Sequence, residues 1–370
     1  MPGVYLSYPF CAQKCTYCNF ASGVFPQALE REYLDALSLE IARLCPSQDV
    51  WSWTPETIYL GGGTPSRIET SDLERILTGI PGRPWREATI EAAPGTITAE
   101  RAAGWARMGL TRVSLGVQSF VARELARTGR KHTAQAVASD VAVLRDHRLT
   151  NINIDLIAGL PGQTRASWRE SLAWIDKLDA PHVSIYMFEV DEDSRLGNEV
   201  MLNGKRYGAP DVPSDEITAE LYENAVEELH RMGIERYEIS NFARPGFESL
   251  HNLKYWRLEP YIGFGADAHS FDGALRSQNV ETPREYVDRI RRGDSPRLDS
   301  TPAHLAEERF FVGLRLSEGI RPRPDEWRRF EAPIERFLAE GLLQKNGAQL
   351  RLTDRGVLLS NEVFAEFIES

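Results

Sequence analysis

The sequence predicts an α/β fold, namely a partial, open (β/α)6 barrel followed by a small C-terminal α+β module that is winged-helix-like. Short segments rich in apolar, β-branched and aromatic residues alternate with amphipathic helical segments along residues 4–190. From the second apolar segment onward they recur every 24–39 residues or so. Such intervals are expected for parallel strands joined by right-handed helical crossovers.

Six segments have the character of buried strands, because each is apolar and ends in Gly, Pro or polar residues. They span residues 4–10, 57–63, 88–95, 112–119, 151–162 and 182–190. The stretch 28–44 predicts an amphipathic helix, with apolar residues recurring every three or four positions. Three further helices are expected to begin at Thr98, Thr133 and Thr164, since threonine is a good N-terminal capping residue.

The last third of the chain differs in composition from the barrel segments. Pro, Gly and aromatic residues dominate residues 235–300, and short helical segments surround a hairpin signal, Asn346-Gly347, in the final part. We therefore expect a barrel core at 1–235, an aromatic-rich extension at 236–302 and a winged-helix-like module at 303–370.

Charge and hydropathy exclude some classes of protein. The 370 residues include 43 Lys and Arg and 54 Asp and Glu, so the net charge is −11. This charge argues against a general nucleic-acid binder, which would show a basic stripe. No run of about 18 apolar residues and no signal-peptide pattern occurs. We expect a cytoplasmic protein with no transmembrane segment.

Three of the four cysteines crowd into eight residues directly after the first strand: Cys11, Cys15 and Cys18. Chemistry in such barrels gathers at the C-terminal ends of the strands, where this loop lies. Three thiolates match three irons of a [4Fe–4S] cluster and leave the fourth iron open. A zinc site completed by a distant Cys or His is the alternative. Cys45, the only other cysteine, is roughly 25 Å away along the predicted helix.

The spacing Cys-x3-Cys-x2-Cys, with Tyr17 before the third cysteine, resembles the radical S-adenosylmethionine (SAM) superfamily. A glycine-rich turn, residues 61–66 (GGGTPS), follows the second strand, where that superfamily contacts the amino group of SAM. The resemblance implies a [4Fe–4S] cluster and SAM as cofactors. It also implies that the reduced cluster cleaves SAM to methionine and a 5′-deoxyadenosyl radical.

Further motifs resemble the branch that contains oxygen-independent coproporphyrinogen oxidases and HemW-type heme chaperones. The resemblance assigns nine residues to the SAM pocket: Tyr5, Tyr17, Gly62, Gly63, Thr64, Glu91, Gln118, Arg130 and Asp155. Carboxylates suit the positive and hydroxyl groups of SAM, and a guanidinium suits its carboxylate. Without the resemblance, Glu91 and Asp155 could be helix caps or surface ion pairs, and Gln118 a capping amide.

Two features favour the HemW type within this branch. Coproporphyrinogen oxidases carry a further Cys two residues after the third cluster cysteine, where this chain has Phe20. The stretch His251-Asn-Leu-Lys-Tyr255-Trp256 resembles the element associated with heme binding in the HemW type. Histidine is a common axial ligand of heme iron, and Tyr255 could contact the macrocycle. Alternatively, His251 only hydrogen-bonds within the protein, and His269 is a second candidate ligand.

The sequence thus predicts a protein that binds a cluster, SAM and heme and passes heme to an acceptor protein, with flavodoxin or ferredoxin as electron donor. No residue is assigned a catalytic role. The alternatives are an oxidoreductase acting on a porphyrin or porphyrinogen, such as an oxygen-independent coproporphyrinogen III oxidase, and a zinc-stabilised barrel that only binds.

Overall fold

The computed structural model describes residues 2–44 and 54–368. Its strands and helices alternate along the first half of the chain, as predicted. The prediction that Cys45 is remote from the cysteine loop falls on a residue outside these ranges.

Fourteen strands lie within the described residues. They are β1 (Gly3–Tyr8), β2 (Thr57–Gly62), β3 (Glu87–Ala92), β4 (Arg112–Gln118), β5 (Asn151–Ala158), β6 (His182–Met187), β7 (Glu235–Arg236), β8 (Asn241–Ala243), β9 (Tyr261–Phe264), β10 (His269–Phe271), β11 (Leu275–Gln278), β12 (Thr301–Pro302), β13 (Leu343–Asn346) and β14 (Gln349–Leu352).

Three short 3₁₀-helices span Pro65–Arg67, Arg206–Asp211 and Gly313–Arg315, and fifteen α-helices complete the described secondary structure. They are α1 (Gln27–Leu44), α2 (Thr70–Thr78), α3 (Ala99–Met108), α4 (Ala122–Arg127), α5 (Ala134–Asp146), α6 (Arg165–Leu178), α7 (Arg195–Met201), α8 (Asp215–Arg231), α9 (Leu250–Trp256), α10 (Pro283–Arg292), α11 (Leu305–Phe311), α12 (Pro324–Arg329), α13 (Glu331–Ala339), α14 (Asp354–Leu358) and α15 (Ser360–Ala365).

The predicted open barrel is confirmed. Strands β1 to β6 pair in chain order, and every one of these pairs is parallel. The sheet continues beyond both edges, because β9 pairs with β1 and β8 pairs with β6, giving twelve strands in one sheet. Its outermost described strands, β12 and β7, do not pair with each other, so the sheet stays open.

The predicted capping threonines also lie where the sequence places them. The hydroxyls of Thr98, Thr133 and Thr164 each accept a hydrogen bond from a backbone N–H in the first turn of α3, α5 and α6. Such bonds satisfy donors that a helix leaves unpaired at its start. The predicted first helix is α1, whose buried side chains include Leu29, Leu37 and other apolar residues.

The C-terminal hairpin is present, but its turn differs by one residue from the prediction. Asn346 pairs with Gln349, so the two central residues are Gly347 and Ala348 rather than Asn346 and Gly347. Gly347 has φ +60°. A two-residue turn with a positive φ at its first central position prefers glycine there, and Asn346 remains free to pair in the ladder.

The two faces of the barrel sheet differ in polarity. Residues on the outer face, such as Val4, Leu6, Val113 and Leu115, are buried against the helices. The inner face carries polar and aromatic side chains, and the site described below is built on it. None of the described helices is both long enough and apolar enough to cross a lipid bilayer.

Candidate cofactor site

The cysteine loop follows β1 and lies at the C-terminal ends of the barrel strands. Cys11, Cys15 and Cys18 are free thiols, each partly exposed. Two backbone hydrogen bonds close the loop at its base, from Cys11 N to Gly23 O (2.8 Å) and from Gly23 N to Pro9 O (2.9 Å). The two ends of the loop are therefore held together, and the loop presents three thiols at the mouth of the barrel.

The surrounding chain holds this loop in place. The Thr16 N–H donates to Thr128 O (3.3 Å), and the Leu196 N–H donates to Thr16 O (2.8 Å). Burial raises the pKa of the Cys11 thiol, while hydrogen bonds to Ser22 and Thr64 lower it. Across residues 2–44 and 54–368, no three His, Cys, Asp or Glu side chains are gathered as a site for a single metal ion. Three unpaired thiols on one short loop are nevertheless the donor set that an iron–sulfur cluster with an open iron uses.

Tyr17 and Arg130 connect the cysteine loop to the end of β4. The Arg130 Nε–H donates to the Tyr17 hydroxyl (3.1 Å), and its Nη1 donates to Gly116 O (2.5 Å). The Arg130 guanidinium also hydrogen-bonds to the Cys15 side chain. A fixed positive charge thus stands beside the thiols, where it can attract an anionic ligand group.

The glycine-rich turn packs against the start of the cysteine loop. The Gly63 N–H donates to Tyr8 O (2.7 Å) and the Thr64 N–H to Phe10 O (2.9 Å). A Cβ atom at Gly63 would lie 2.6 Å from Phe10 O, so only glycine fits there. Gly62 has φ +105°, and its N–H donates to Glu91 Oε2 (3.1 Å).

Two carboxylates, Glu91 on β3 and Asp155 on β5, face the interior of the barrel near its mouth. Glu91 accepts hydrogen bonds from the Tyr59 hydroxyl (3.0 Å) and from Gly62 N. Burial, helped by the charge of Asp155, raises the pKa of Glu91 to about 7. Burial also raises the pKa of Asp155, although hydrogen bonds from several partners, including Asn153 and Ser114, oppose this. Neither residue is a helix cap or a surface ion pair.

Gln118 ends β4 in an unusual conformation. Its φ is +69°, and the register of β4 against β5 shifts between Gly116 and Gln118. The buried Oε1 atom has no hydrogen-bond partner within the described residues. A strained residue with an unused buried acceptor commonly belongs to a ligand site. The residues present therefore fit SAM, since this acceptor and the carboxylates Glu91 and Asp155 are turned toward one space.

Tyr5 lies deeper in the barrel than the other predicted SAM residues. Its ring stacks on Tyr59, with 6.1 Å between ring centroids. Burial raises the pKa of both phenols, so both remain protonated at neutral pH. Tyr5 and Tyr59 therefore separate the mouth from the opposite end of the barrel.

His251 and Tyr255 lie on α9 at that opposite end, where β1 and β2 begin. The His251 ring is fully buried, and its Nδ1 and Nε2 atoms hydrogen-bond to the hydroxyls of Thr57 (2.9 Å) and Tyr255 (2.8 Å). Burial lowers the pKa of His251 to about 3, so the ring is neutral. Since β1 rises about 3.3 Å per residue, His251 is on the order of 16 Å from the cysteine loop.

The structure thus brings together Cys11, Cys15, Cys18 and all predicted SAM residues except Tyr5, which lies one layer below them. It separates them from His251 and Tyr255. The other histidine considered, His269, is exposed on β10. The sequence motifs include neither Tyr59, whose hydroxyl supports Glu91, nor Arg112, an arginine on the inner face. The alternation of polar and apolar residues in β4 could have shown that Arg112, Ser114 and Gln118 share a face.

Comparisons with known proteins agree with this geometry. Residues 5–175 match the model of the Radical SAM superfamily, and residues 300–359 match the HemN C-terminal domain. A curated protein named heme chaperone HemW from Bacillus subtilis is 33% identical, covering 100% of this chain and 99% of that protein. One of the same name from Lactococcus lactis subsp. lactis is also 33% identical, covering 98% of this chain and 96% of its own length.

A solved structure, described as coproporphyrinogen III oxidase (HemN) from Escherichia coli, a radical SAM enzyme, has the same fold. It superposes with a TM-score of 0.84 at 20% identity, covering 99% of this chain and 90% of that one. Barrel, cysteine loop and glycine-rich turn together define a radical SAM protein. Within that class, the chain belongs to the family of the curated proteins called heme chaperone HemW.

Membership of the radical SAM superfamily implies a [4Fe–4S] cluster and SAM as cofactors. All residues predicted for these two cofactors lie inside the matched range 5–175.

Proposed function

We propose that this protein is a heme chaperone of the HemW type, which binds a [4Fe–4S] cluster, SAM and heme and passes heme to an acceptor protein. The observation that carries the proposal is the 33% identity to a curated heme chaperone HemW along the whole chain. We also propose that the protein is cytoplasmic and that it receives electrons from a donor such as flavodoxin or ferredoxin. The family relationship also supports the proposed binding of porphyrin and delivery of heme.

The proposed cofactor roles follow from the contacts at the mouth. Cys11, Cys15 and Cys18 hold three irons of the cluster. When bound, the reduced cluster supplies an electron to the sulfonium group of SAM. Arg130, fixed by Tyr17 and Gly116, faces the carboxylate of SAM.

The other predicted residues bind and orient the rest of SAM. Gly62, Gly63 and Thr64 offer a backbone that a ligand can approach closely. Glu91 and Asp155 accept hydrogen bonds from the ammonium and hydroxyl groups, and the unused Gln118 Oε1 provides a further acceptor. Tyr5 and Tyr59 form the lower boundary of this pocket and exclude water beneath it.

For heme, we propose His251 as the axial ligand with Tyr255 beside it, and His269 as the alternative ligand. In the described conformation, ligation by His251 requires its ring to give up a hydrogen bond to Thr57 or Tyr255. It also requires α9 to expose a fully buried side chain. His269 is already exposed and needs no such rearrangement.

An anaerobic reconstitution followed by paired titrations with heme and SAM tests the proposal. We expect visible absorption from the cluster, saturable SAM binding and a heme Soret band that weakens in His251→Ala. His269→Ala tests the alternative ligand, and His304→Ala, whose side chain is 73% exposed in the C-terminal module, is the matched control. A wild-type protein that holds the cluster but binds no heme would contradict the chaperone function.

The fold match to coproporphyrinogen III oxidase favours a second candidate, an oxidoreductase that acts on a porphyrinogen. Phe20, 67% exposed on the cysteine loop, occupies the position where those oxidases have a further cysteine. Anaerobic release of CO2 from coproporphyrinogen III, coupled to formation of 5′-deoxyadenosine, would select the oxidase over the chaperone.

A further inference from the structure

The cysteine loop has one side that faces the barrel and one side that faces solvent. On the barrel side, Arg130 contacts Cys15, and the glycine-rich turn contacts Cys11. On the solvent side, Ala12 and Gln13 are exposed. An electron that comes from another protein to a cluster held by this loop therefore crosses the least polypeptide on the solvent side, between the first two cysteines.

Six cationic side chains lie around the solvent side of the loop, although the protein as a whole is acidic, with a net charge of −11. Five of them are exposed, and the sixth, Lys14, is half-buried. Three of the six lysines of the chain are among them. We call this group the cationic surface, and its members are Lys14, Arg123, Lys131, Arg195, Lys205 and Arg206.

Contacts with α7 and the segment after it place three of these side chains beside the loop. The Arg195 guanidinium donates a hydrogen bond to Lys14 O and lies over the Tyr207 ring, 5.6 Å from the ring centroid. Lys205 and Arg206 directly precede that tyrosine. Arg195 therefore links the loop residue Lys14 to a second pair of positive charges.

Contacts with α4 and the residues after it add the other two. Gln13 Nε2 donates to the backbone carbonyl two residues before Lys131. Arg123 Nη2 donates to Gly162 O (3.0 Å), and the Gly162 N–H donates to Asp211 O (2.7 Å). Arg123 is thus connected to the segment that carries Lys205 and Arg206, so the cationic surface is continuous.

The acidic side chains of this region do not interrupt the cationic surface. Asp211 forms an ion pair with an arginine outside the set (2.7 Å), and half-buried Glu199 accepts a backbone N–H (3.2 Å). Glu192 and Asp193 are exposed, but their segment hydrogen-bonds to Asn19, after the third cysteine. Positive charge thus predominates on the side of the loop between its first two cysteines.

We propose that the cationic surface docks an acidic protein that carries one electron, such as flavodoxin, and that the electron enters the cluster through the solvent side of the loop. Attraction between opposite charges accelerates the encounter and orients the two proteins. This inference rests on the proposed function, which includes a cluster and an electron donor, and it adds where the donor binds. The cluster changes from [4Fe–4S]²⁺ to [4Fe–4S]⁺ as a flavodoxin hydroquinone anion becomes the neutral semiquinone, and no proton or other atom is transferred.

Zero-length cross-linking tests the docking without any cluster chemistry. A carbodiimide joins a lysine amine to a carboxylate in contact with it, so the full chain and oxidised flavodoxin are treated together and analysed by mass spectrometry. We expect cross-links at Lys14, Lys131 and Lys205 that are lost at about 0.5 M NaCl, where charges are strongly screened. Exposed Lys177 on α6 and Lys345 on β13 are internal controls. Cross-links only at these controls, or none at low salt, overturn the proposal.

Reduction of the reconstituted cluster by flavodoxin hydroquinone is the second readout. In Lys131→Glu/Arg206→Glu we expect the second-order rate constant at low salt to fall about 10-fold or more, and the difference to shrink at high salt. Arg107→Glu/Lys177→Glu changes the net charge equally, at exposed positions near the ends of α3 and α6 where the following strands begin, and should stay close to wild type. Photoreduced deazariboflavin, an uncharged reductant, should reduce all three proteins alike.

Equal slowing of both double variants would show an effect of net charge alone and overturn the proposal. A rate in Lys131→Glu/Arg206→Glu equal to that of wild type would overturn it too. If wild type takes electrons from deazariboflavin but from neither flavodoxin nor an acidic ferredoxin, the docking fails while the cluster and heme binding stand. A wild-type protein that holds no reducible cluster defeats the proposed function as well.

Discussion

Individual charged side chains at the mouth of the barrel destabilise the ligand-free protein electrostatically. Glu91 and Asp155 are two half-buried carboxylates within reach of each other's charge, and their hydrogen bonds only partly offset the loss of water. A carboxylate that is unfavourable in the empty site becomes favourable when a cation neutralises it. SAM carries such a positive charge.

The first prediction concerns the pH dependence of stability due to Glu91. Its pKa is about 7 in the folded protein against an ordinary 4.5, so the folded state holds an extra proton at acidic pH. That stabilisation is lost as the pH rises through about 7. Glu91→Gln removes the loss, and we expect the SAM-free variant to be about 2–3 kcal/mol more stable than wild type at pH 8. The difference should shrink as the pH falls from about 7 to 4.5 and vanish below that range.

Urea unfolding at a series of pH values measures this difference in the free energy of unfolding. Glu100→Gln, an exposed position on α3, is the control and should show no pH-dependent difference. If the free energies of unfolding of Glu91→Gln and wild type differed by the same amount at all pH values, Glu91 would not titrate near neutrality.

The second prediction concerns the three thiols. Replacement of Cys11, Cys15 or Cys18 by Ala should each abolish the visible absorption of the reconstituted cluster, because a cluster missing one of three protein ligands is not retained. The loop is tied to the barrel through its backbone, so far-UV circular dichroism should stay that of wild type. Cys45→Ala should keep the cluster. Partial retention of iron in any of the first three variants would count against that cysteine as a ligand.

Among the secondary-structure elements, α9 depends on a distant part of the chain. Glu87 at the start of β3 accepts hydrogen bonds from Leu250 N (3.0 Å), His251 N (2.9 Å) and the Ser249 hydroxyl (3.4 Å). A carboxylate at the start of a helix satisfies unpaired N–H groups and interacts favourably with the helix dipole. Glu87 therefore secures the helix that buries His251.

The third prediction is that Glu87→Gln loosens α9. The amide keeps one acceptor oxygen but loses the charge, so we expect the free energy of unfolding to fall by about 1–3 kcal/mol. Amide hydrogen exchange should accelerate in residues 250–256 more than in β1 to β6. Glu227→Gln, on the exposed face of α8, should change stability by less than about 0.5 kcal/mol. Unchanged exchange in α9 would show that Glu87 does not hold it.

Elements whose ends depend on local chemistry could be predicted from the sequence, and those that depend on distant partners could not. Thr98, Thr133 and Thr164 each cap a helix through a hydrogen bond from the backbone N–H three positions further on. His251 instead contacts Thr57, 194 residues earlier. No local pattern reports such a contact, which is why the burial of His251 and its separation from the cysteine loop emerged only from the structure.

At the scale of the whole molecule, Glu40 on α1 joins the first helix to the segment that follows β9. Its carboxylate accepts hydrogen bonds from Gly265 N (2.9 Å), Asn279 Nδ2 (3.1 Å) and the Tyr286 hydroxyl (2.6 Å). Glu40 is 4% exposed. One buried carboxylate thus connects the N-terminal half of the barrel to the strands that extend its edge.

The fourth prediction is that Glu40→Ala lowers the free energy of unfolding by several kcal/mol, since it leaves three buried donors without an acceptor. Glu32→Ala is the matched control, because Glu32 also links α1 to α10, through Arg284 and Arg291, but at the surface. Glu32→Ala should lower the free energy of unfolding by no more than about 1 kcal/mol. Chemical denaturation measures both, and equal effects would contradict a special role of Glu40.

The open barrel and the gathering of cofactor residues at its mouth could be predicted because alternating strand and helix segments fix both. Within the site, the sequence also predicts the residues that the resemblance aligns. It does not show that Arg130 connects Tyr17 to Gly116 or that Tyr59 supports Glu91, because these contacts depend on how neighbouring strands align. Nor does it show that the Arg112 Nε–H lacks an acceptor among the described residues.

The two backbone hydrogen bonds between the glycine-rich turn and the chain entering the cysteine loop have a thermodynamic consequence. They join two segments that lie more than fifty residues apart, through Gly63 to Tyr8 and Thr64 to Phe10. The site that we propose for the amino-acid end of SAM is thereby pre-organised, and the entropic cost of ordering it is met during folding rather than on association. Binding of the small molecule therefore does not have to order a flexible loop, and its affinity is not reduced by that entropic cost.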